Sequence, residues 1–223
     1  MNLSEKSKQI ERDILNVSFL SGACHIGSAL SCVDILVELY YKILKKEDIF
    51  IFSKASGVST LYCILADKGY FPKSEIVYYL KNYPLSSCEV PGVIWSGGSL
   101  GMGLSFACGM AFAKKIKKEK GNVYVLIGDG ECQEGTTYEA ALFARQHKLD
   151  NLYVIIDFNR YQALGAVKDI LDLKTAFRFL KRSLPNCNIR KTIKGGNIDF
   201  LQGIKGHYLN LTPELFKKAL CKI

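Results

Sequence analysis

The apolar positions of this chain follow two rhythms. Val123-Tyr124-Val125-Leu126-Ile127 and Leu152-Tyr153-Val154-Ile155-Ile156 are short, nearly unbroken apolar runs bounded by glycine, aspartate or asparagine, the pattern of strands buried on both faces. Between them, residues 135–147 carry apolar side chains at helical spacing. The first run leads into Gly128-Asp129-Gly130, the second into Asp157 and Asn159. A carboxylate between two glycines at the end of a buried strand lies where open α/β sheets receive ligands, and glycine lets the backbone turn sharply and approach one closely. One βαβ unit then brings Asp129 and Asn159 to neighbouring strand ends.

The remaining elements alternate in the same way. Residues 4–20, with Ile10, Ile14, Leu15, Val17 and Phe19, predict an amphipathic helix that stops at Gly22. A turn of small residues, 21–28, presents His25 before a helix predicted over 30–44. Residues 49–54 predict a strand, Ala55-Ser56-Gly57 a connection, and residues up to Gly69 a helix. Residues 73–83 read as helix, 84–93 as irregular, and the glycine-rich stretch Ser96 to Gly103 opens a helix over 104–117. Residues 169–182 predict one helix and 188–193 one strand. Thr212 suits the N-cap of a last helix with Pro213 in its first turn. With 223 residues and 48% hydrophobic content, the expectation is one α/β domain spanning 1–223.

Charge changes this picture little. The net charge of +9 comes from dispersed lysines, and their densest cluster, Lys114-Lys115-Ile116-Lys117-Lys118, ends a helix, where the dipole favours cations. No aromatic-interleaved basic stripe accompanies it, so a nucleic-acid partner is not expected; an anionic substrate or an acidic partner chain would use the charge equally well. No apolar run reaches the ~18 residues of a membrane span, and the polar start carries no secretory pattern. Eight cysteines without a C-x-x-C pair fit a reduced cytoplasm.

Asp129 and Asn159 offer one carboxylate and one amide oxygen, a set suited to Mg²⁺ or Ca²⁺ that leaves positions for phosphate and water. An isolated Gly-Asp-Gly is equally a surface turn. Around Gly98, Gly101 and Gly103, free N–H groups at a helix start favour anions, although tight helix packing has the same signature. A dinucleotide fingerprint is excluded, because no strand precedes the glycines and no acidic residue follows at the required distance.

Gly128-Asp129-Gly130 followed by Asn159 resembles the thiamine diphosphate signature. Gly98-Ser99-Leu100-Gly101-Met102-Gly103, Val90-Pro91-Gly92-Val93, Thr192-Ile193-Lys194-Gly195 and Gly206-His207-Tyr208 also match segments of the same family. From His25 to His207 the chain is similar to the amino-terminal, diphosphate-binding half of transketolases. The resemblance implies a mostly parallel sheet with helices on both faces, here one βα unit short. It implies Mg²⁺ held by Asp129, Asn159 and the carbonyl of Tyr161, and thiamine diphosphate bound along Gly98, Ser99, Leu100, Gly128, Gly130 and His207. It implies substrate contact by His25 and His207, and Glu134 as an interface glutamate coupling paired sites. Read alone, His25 and His207 are also ordinary structural or surface histidines, and Glu134 a helix-start carboxylate. The chain departs from the family where Ala55-Ser56 replaces Gly-His, leaving Ser56 to face the diphosphate, and where no histidine precedes Val90.

A complete transketolase also needs a pyrimidine-binding domain. The implied protein is therefore the amino-terminal subunit of a split, transketolase-like transferase that moves a two-carbon ketol unit between sugars. A separate carboxy-terminal subunit would complete the site in a dimer or heterotetramer. The alternative is a non-catalytic or regulatory homologue that pairs with such a partner.

Overall fold

A computed structural model describes residues 2–223. Helix α1 (Leu3–Ser21) starts at Asn2, whose side chain accepts the Ser4 N–H, and ends at Gly22 in the left-handed region, at φ 70°. The helix predicted over 30–44 begins earlier, at Ile26, and is broken into α2 (Ile26–Ser31), α3 (Val33–Glu38) and a wide turn over Leu39–Ile43. The break falls where buried Ser31 and Cys32 turn their side chains back onto the carbonyls of Ser28 (3.1 Å) and Ala29 (3.3 Å), a competition that bends helices. Strand β1 (Ile49–Phe52) precedes α4 (Val58–Asp67) and α5 (Ile76–Asn82). After the irregular and glycine-rich stretch come α6 (Met102–Lys117), β2 (Val123–Gly128), α7 (Gly135–Gln146) and β3 (Leu152–Phe158), close to their expected limits.

Beyond β3 the expectation needs correction. A two-residue hairpin, β4 (Tyr161–Gln162) against β5 (Gly165–Ala166), has no counterpart in the apolar pattern. The single helix predicted over 169–182 is two, α8 (Val167–Ile170) and α9 (Lys174–Ser183). The first ends because Gln133 captures the carbonyls of Val167 and Leu171 at 3.2 and 2.7 Å, and Asp172 accepts the Lys174 N–H to begin the second. Strand β6 (Asn186–Lys191) lies two residues earlier than expected. Past it the chain turns inward, and Gly195 donates to the carbonyl of Gly27 at 2.9 Å. Helices α10 (Lys205–Tyr208) and α11 (Pro213–Leu220) follow, the latter capped by Thr212 as expected.

The four long strands form one parallel sheet in the order β1-β2-β3-β6. Alternation sorts their side chains between two cores. Phe50, Phe52, Tyr124 and Leu126 pack against α1–α5, and Ile51, Val125, Ile127, Val154 and Ile156 against α6, α7 and α9. Helices thus cover both faces, as expected, and each fully buried Leu, Ile or Val contributes roughly 1.5–3 kcal/mol. All six residues of β2 are buried; none of β6 is. Gly128 stands beside Asp157 in the register, so the polar residues that follow the apolar runs gather at one end of the sheet.

Candidate functional site

At that end β2 turns through Gly128-Asp129-Gly130 into a short 3-10 turn over Gly130–Gln133. Asp129 is 2% exposed. Its Oδ1 accepts the Gly130 N–H at 3.0 Å and its Oδ2 the Arg160 N–H at 2.6 Å. Arg160 is left-handed at φ 73°, a conformation costing a non-glycine residue about 1–2 kcal/mol, and the carboxylate helps hold it there. Asn159 Oδ1 accepts the Tyr161 N–H at 3.0 Å, while its amide nitrogen donates to Ser31 Oγ at 3.3 Å. Asp129 and Asn159 therefore meet at adjacent strand ends. Burial raises the Asp129 carboxyl to about 7, against the lowering effect of the Arg160 N–H.

Buried Glu131 ties this turn to the glycine-rich segment. It accepts the Ser53 hydroxyl and the Gly101 N–H (3.2 Å) on one oxygen, and the Gly128 N–H (2.7 Å) on the other. Burial raises its carboxyl, and these hydrogen bonds oppose the rise. The approach is close: a Cβ at Gly103 would lie 2.3 Å from Ser53 Oγ.

Two buried lysines line the same space. Lys54 pairs with Asp157 at 2.7 Å and also donates to the Ser28 carbonyl (2.6 Å) and Ser31 Oγ (2.8 Å). Burial acts to lower the Lys54 ammonium, but Asp157, together with Cys32 and Asp129, outweighs it and the net shift is upward. Lys194 is 1% exposed. Its amine meets His207 Nδ1 at 2.9 Å and the Tyr161 carbonyl at 3.5 Å, with no carboxylate in ion-pair range among the described residues. Burial and then the Lys54 charge depress its pKa.

His25 and His207, far apart in sequence, meet with ring centroids 4.4 Å apart and planes tilted by 59°, and the His25 backbone N–H donates to the His207 carbonyl at 2.9 Å. Burial lowers both imidazoles, with Lys194 adding to the effect on His207, which favours their neutral forms. Among the described residues, His25 Nδ1 is buried without a hydrogen-bond partner.

A cavity of about 380 Å³ collects these groups. Of the residues proposed from sequence, His25, Ser56, Gly98, Leu100, Gly128, Asp129, Gly130, Asn159, Tyr161 and His207 line it. Ser99 and Glu134 do not: Ser99 is exposed, and Glu134 stands half-buried before the first residue of α7, beside Gly101. The sequence reading missed Lys54, Glu131, Gln162 and Lys194, which line the cavity, and Asp157, which anchors Lys54. Lys54 and Asp157 carried a signal, since each is a charge at the end of an apolar run and a buried charge requires a partner.

An open parallel sheet with its cavity at the carboxyl ends of the strands defines an α/β ligand-binding domain. Residues 13–184 match the family described as transketolase, thiamine diphosphate binding domain. The chain is 36% identical to one subunit of the apulose-4-phosphate transketolase of Actinobacillus succinogenes, covering 90% of this chain and 88% of that one. It is 32% identical to a 6-deoxy-6-sulfo-D-fructose transketolase subunit of a Clostridium species, covering 91% and 89%. Its fold superimposes on transketolase from Campylobacter jejuni with a TM-score of 0.87 at 26% identity, covering 98% of this chain and 42% of that enzyme. The chain thus spans less than half the length of that solved transketolase. It belongs to the transketolase family, matching that family's thiamine diphosphate binding domain.

Proposed function

We propose that the cavity binds thiamine diphosphate with Mg²⁺ and that the chain, joined to a separate carboxy-terminal subunit, transfers a two-carbon ketol unit between sugars. The observation that carries this reading is the convergence of Asp129, Asn159 and a buried lysine without a carboxylate partner on one cavity. Both halves of the ligand fit. Asp129 is a buried carboxylate whose ionisation burial opposes; a divalent cation would relieve that cost, and the donor set of carboxylate, amide oxygen and the Tyr161 carbonyl suits a hard ion. Lys194 brings positive charge into a cavity that holds an unpartnered His25 Nδ1, and a diphosphate would supply the missing anion.

When bound, thiamine diphosphate supplies an electron sink for breaking and making the carbon–carbon bond. The chain's residues do the rest. Asp129, Asn159 and Tyr161 would hold the metal. Lys194 would provide the diphosphate with charge that Ser56 lacks, Gly128 and Gly130 would let the backbone approach it, and Gly98 and Leu100 line the same cavity. His25 and His207, in contact with each other, could each accept or donate a proton on substrate oxygens. Glu134, outside the cavity, serves the contact between paired sites.

The test is ketol transfer by the chain mixed with its partner subunit, thiamine diphosphate and Mg²⁺. Asp129→Ala should abolish transfer, and undiminished transfer would remove the metal assignment. If the wild-type pair neither binds the cofactor nor transfers, the non-catalytic homologue is the correct reading.

A further inference from the structure

Strand β6 closes the sheet on one side, and its outer edge is open. Among the described residues it pairs only with β3, and none of its residues is buried. The Thr192 N–H donates inward to the Phe158 carbonyl at 3.1 Å. By strand alternation, the N–H and C=O groups of Ile189 and Lys191 therefore point away from β3, to the open side.

Both faces beside this edge are incompletely covered. On the α9 face, a cavity of about 410 Å³ has Phe158, Phe177 and Ile189 as its floor. It shares Phe158, Phe177 and Lys174 with a second cavity of about 550 Å³ that continues toward α8. On the other face, a gap of about 180 Å³ separates Asn188 and Arg190 from α3, spanned by the Arg190–Glu38 ion pair at 2.7 Å. The long groove has a one-sided rim. Lys174, Arg178, Lys181 and Lys191 border it and are all exposed, and Asp172 is the acidic residue among those lining it.

We propose that this edge is a docking site for an acidic, extended segment of another polypeptide, added as a fifth strand beside β6. Open main-chain groups supply affinity in such strand addition, and pockets for alternate side chains supply selectivity. Here the apolar floor takes one set of side chains, and the cationic rim selects carboxylates. Edge lysines can also serve to repel a second sheet. The paired grooves argue for occupation, because a strand guarded by charge alone needs no apolar floor. The far end of the groove shares Tyr161 with the cofactor cavity, but the β6 edge and its cationic rim lie outside that cavity, and the proposal does not depend on the cofactor reading.

The test uses three fluorescein-labelled octapeptides: alternating Glu and Val, alternating Lys and Val, and all-Glu. The Glu–Val peptide should bind saturably and weaken as salt rises. On the full chain, it should slow amide hydrogen exchange at Ile189 and Lys191. Lys174→Glu with Arg178→Glu should weaken it at least tenfold, as should Ile189→Pro, which removes an outward N–H while leaving the inward ladder intact. Should Ile189→Pro fail to fold, a Glu–Val peptide N-methylated at alternate residues replaces it and should lose binding to the wild-type chain. The proposal is overturned if the Glu–Val peptide does not bind, if the all-Glu or Lys–Val peptide binds equally well, or if exchange at Ile189 and Lys191 is unchanged in the complex.

Discussion

Asp157→Asn should be among the most damaging single substitutions in this chain. Lys54 and Asp157 are both buried and 2.7 Å apart. Their attraction is roughly 6 kcal/mol at an effective dielectric of 20. Desolvation of several kcal/mol per ion offsets most of this, so the intact pair adds little net stability. Breaking it is different, because asparagine leaves the ammonium buried beside the Ser28 carbonyl and Ser31 Oγ with no carboxylate in ion-pair range among the described residues. The expected loss is about 3–5 kcal/mol, a fall in Tm of roughly 6–20 °C for a domain of this size. Lys54→Met should cost a similar amount, since it strands a carboxylate held by Ser31 and Thr192. The double variant Lys54→Met/Asp157→Leu should recover at least ~2 kcal/mol relative to the sum of the single losses. Thermal and urea unfolding of all four proteins measures the cycle. A loss below about 1 kcal/mol for Asp157→Asn, or strict additivity in the double variant, would refute the argument.

Other consequences can be checked alongside. Burial acts to raise the Asp67 carboxyl, but hydrogen bonds from Tyr41, Lys6, Lys73 and Gln9 outweigh it and hold the group well below the usual carboxylate range. Because the folded pKa lies below the unfolded one, this stabilisation is complete above about pH 4 and is lost as pH falls below it. Asp67→Asn should therefore lower stability near neutrality and flatten the acid limb of Tm against pH; an unchanged acid limb would contradict this. Gly206→Ala places a Cβ 1.8 Å from the Leu201 carbonyl oxygen, so it should cost about 1–3 kcal/mol and disturb the adjacent His207. Gly109→Ala, with open space at an exposed position in α6, should instead stabilise by about 0.5–1 kcal/mol. Thermal melts that rank these two alike would be inconsistent with the packing. Lys194→Gln should weaken thiamine diphosphate binding at least tenfold in a calorimetric titration, and an unchanged affinity would show that this lysine does not face the diphosphate.

The centre of the fold was legible because its physics is local. A strand buried on both faces must be apolar throughout, so β2 and β3 stood out, and the glycines and carboxylate ending β2 marked the ligand side of the sheet. The meeting of Asp129 with Asn159 followed from one βαβ unit. What stayed hidden depends on distant parts of the chain. Gln133 and Asp172 divide α8 from α9, and no helical pattern within 167–183 reveals Gln133's reach. The bend after α2 arises from Ser31 and Cys32 in a setting buried by distant residues: Thr60 of α4 meets Cys32, and Lys54, Asp157 and Asn159 meet Ser31. The Lys54–Asp157 pair joins the ends of two strands separated in the sheet by β2. Lys194 is an ordinary lysine in a Thr-Ile-Lys-Gly run until the chain turns inward at Gly195 and brings it to His207. Likewise, Ser99 sits in a motif that reads as cofactor wall, yet it lies outside the cavity while Gly98 and Leu100 line it.

The central claim is that Asp129 and Asn159 form the metal end of a thiamine diphosphate site. Isothermal titration of thiamine diphosphate into the chain assembled with its partner subunit tests it most directly, with and without Mg²⁺ and with Asp129→Ala in parallel. The expected result is saturable binding that requires Mg²⁺ and disappears in Asp129→Ala. Binding that is indifferent to Mg²⁺, or as tight in Asp129→Ala as in the native chain, would contradict it.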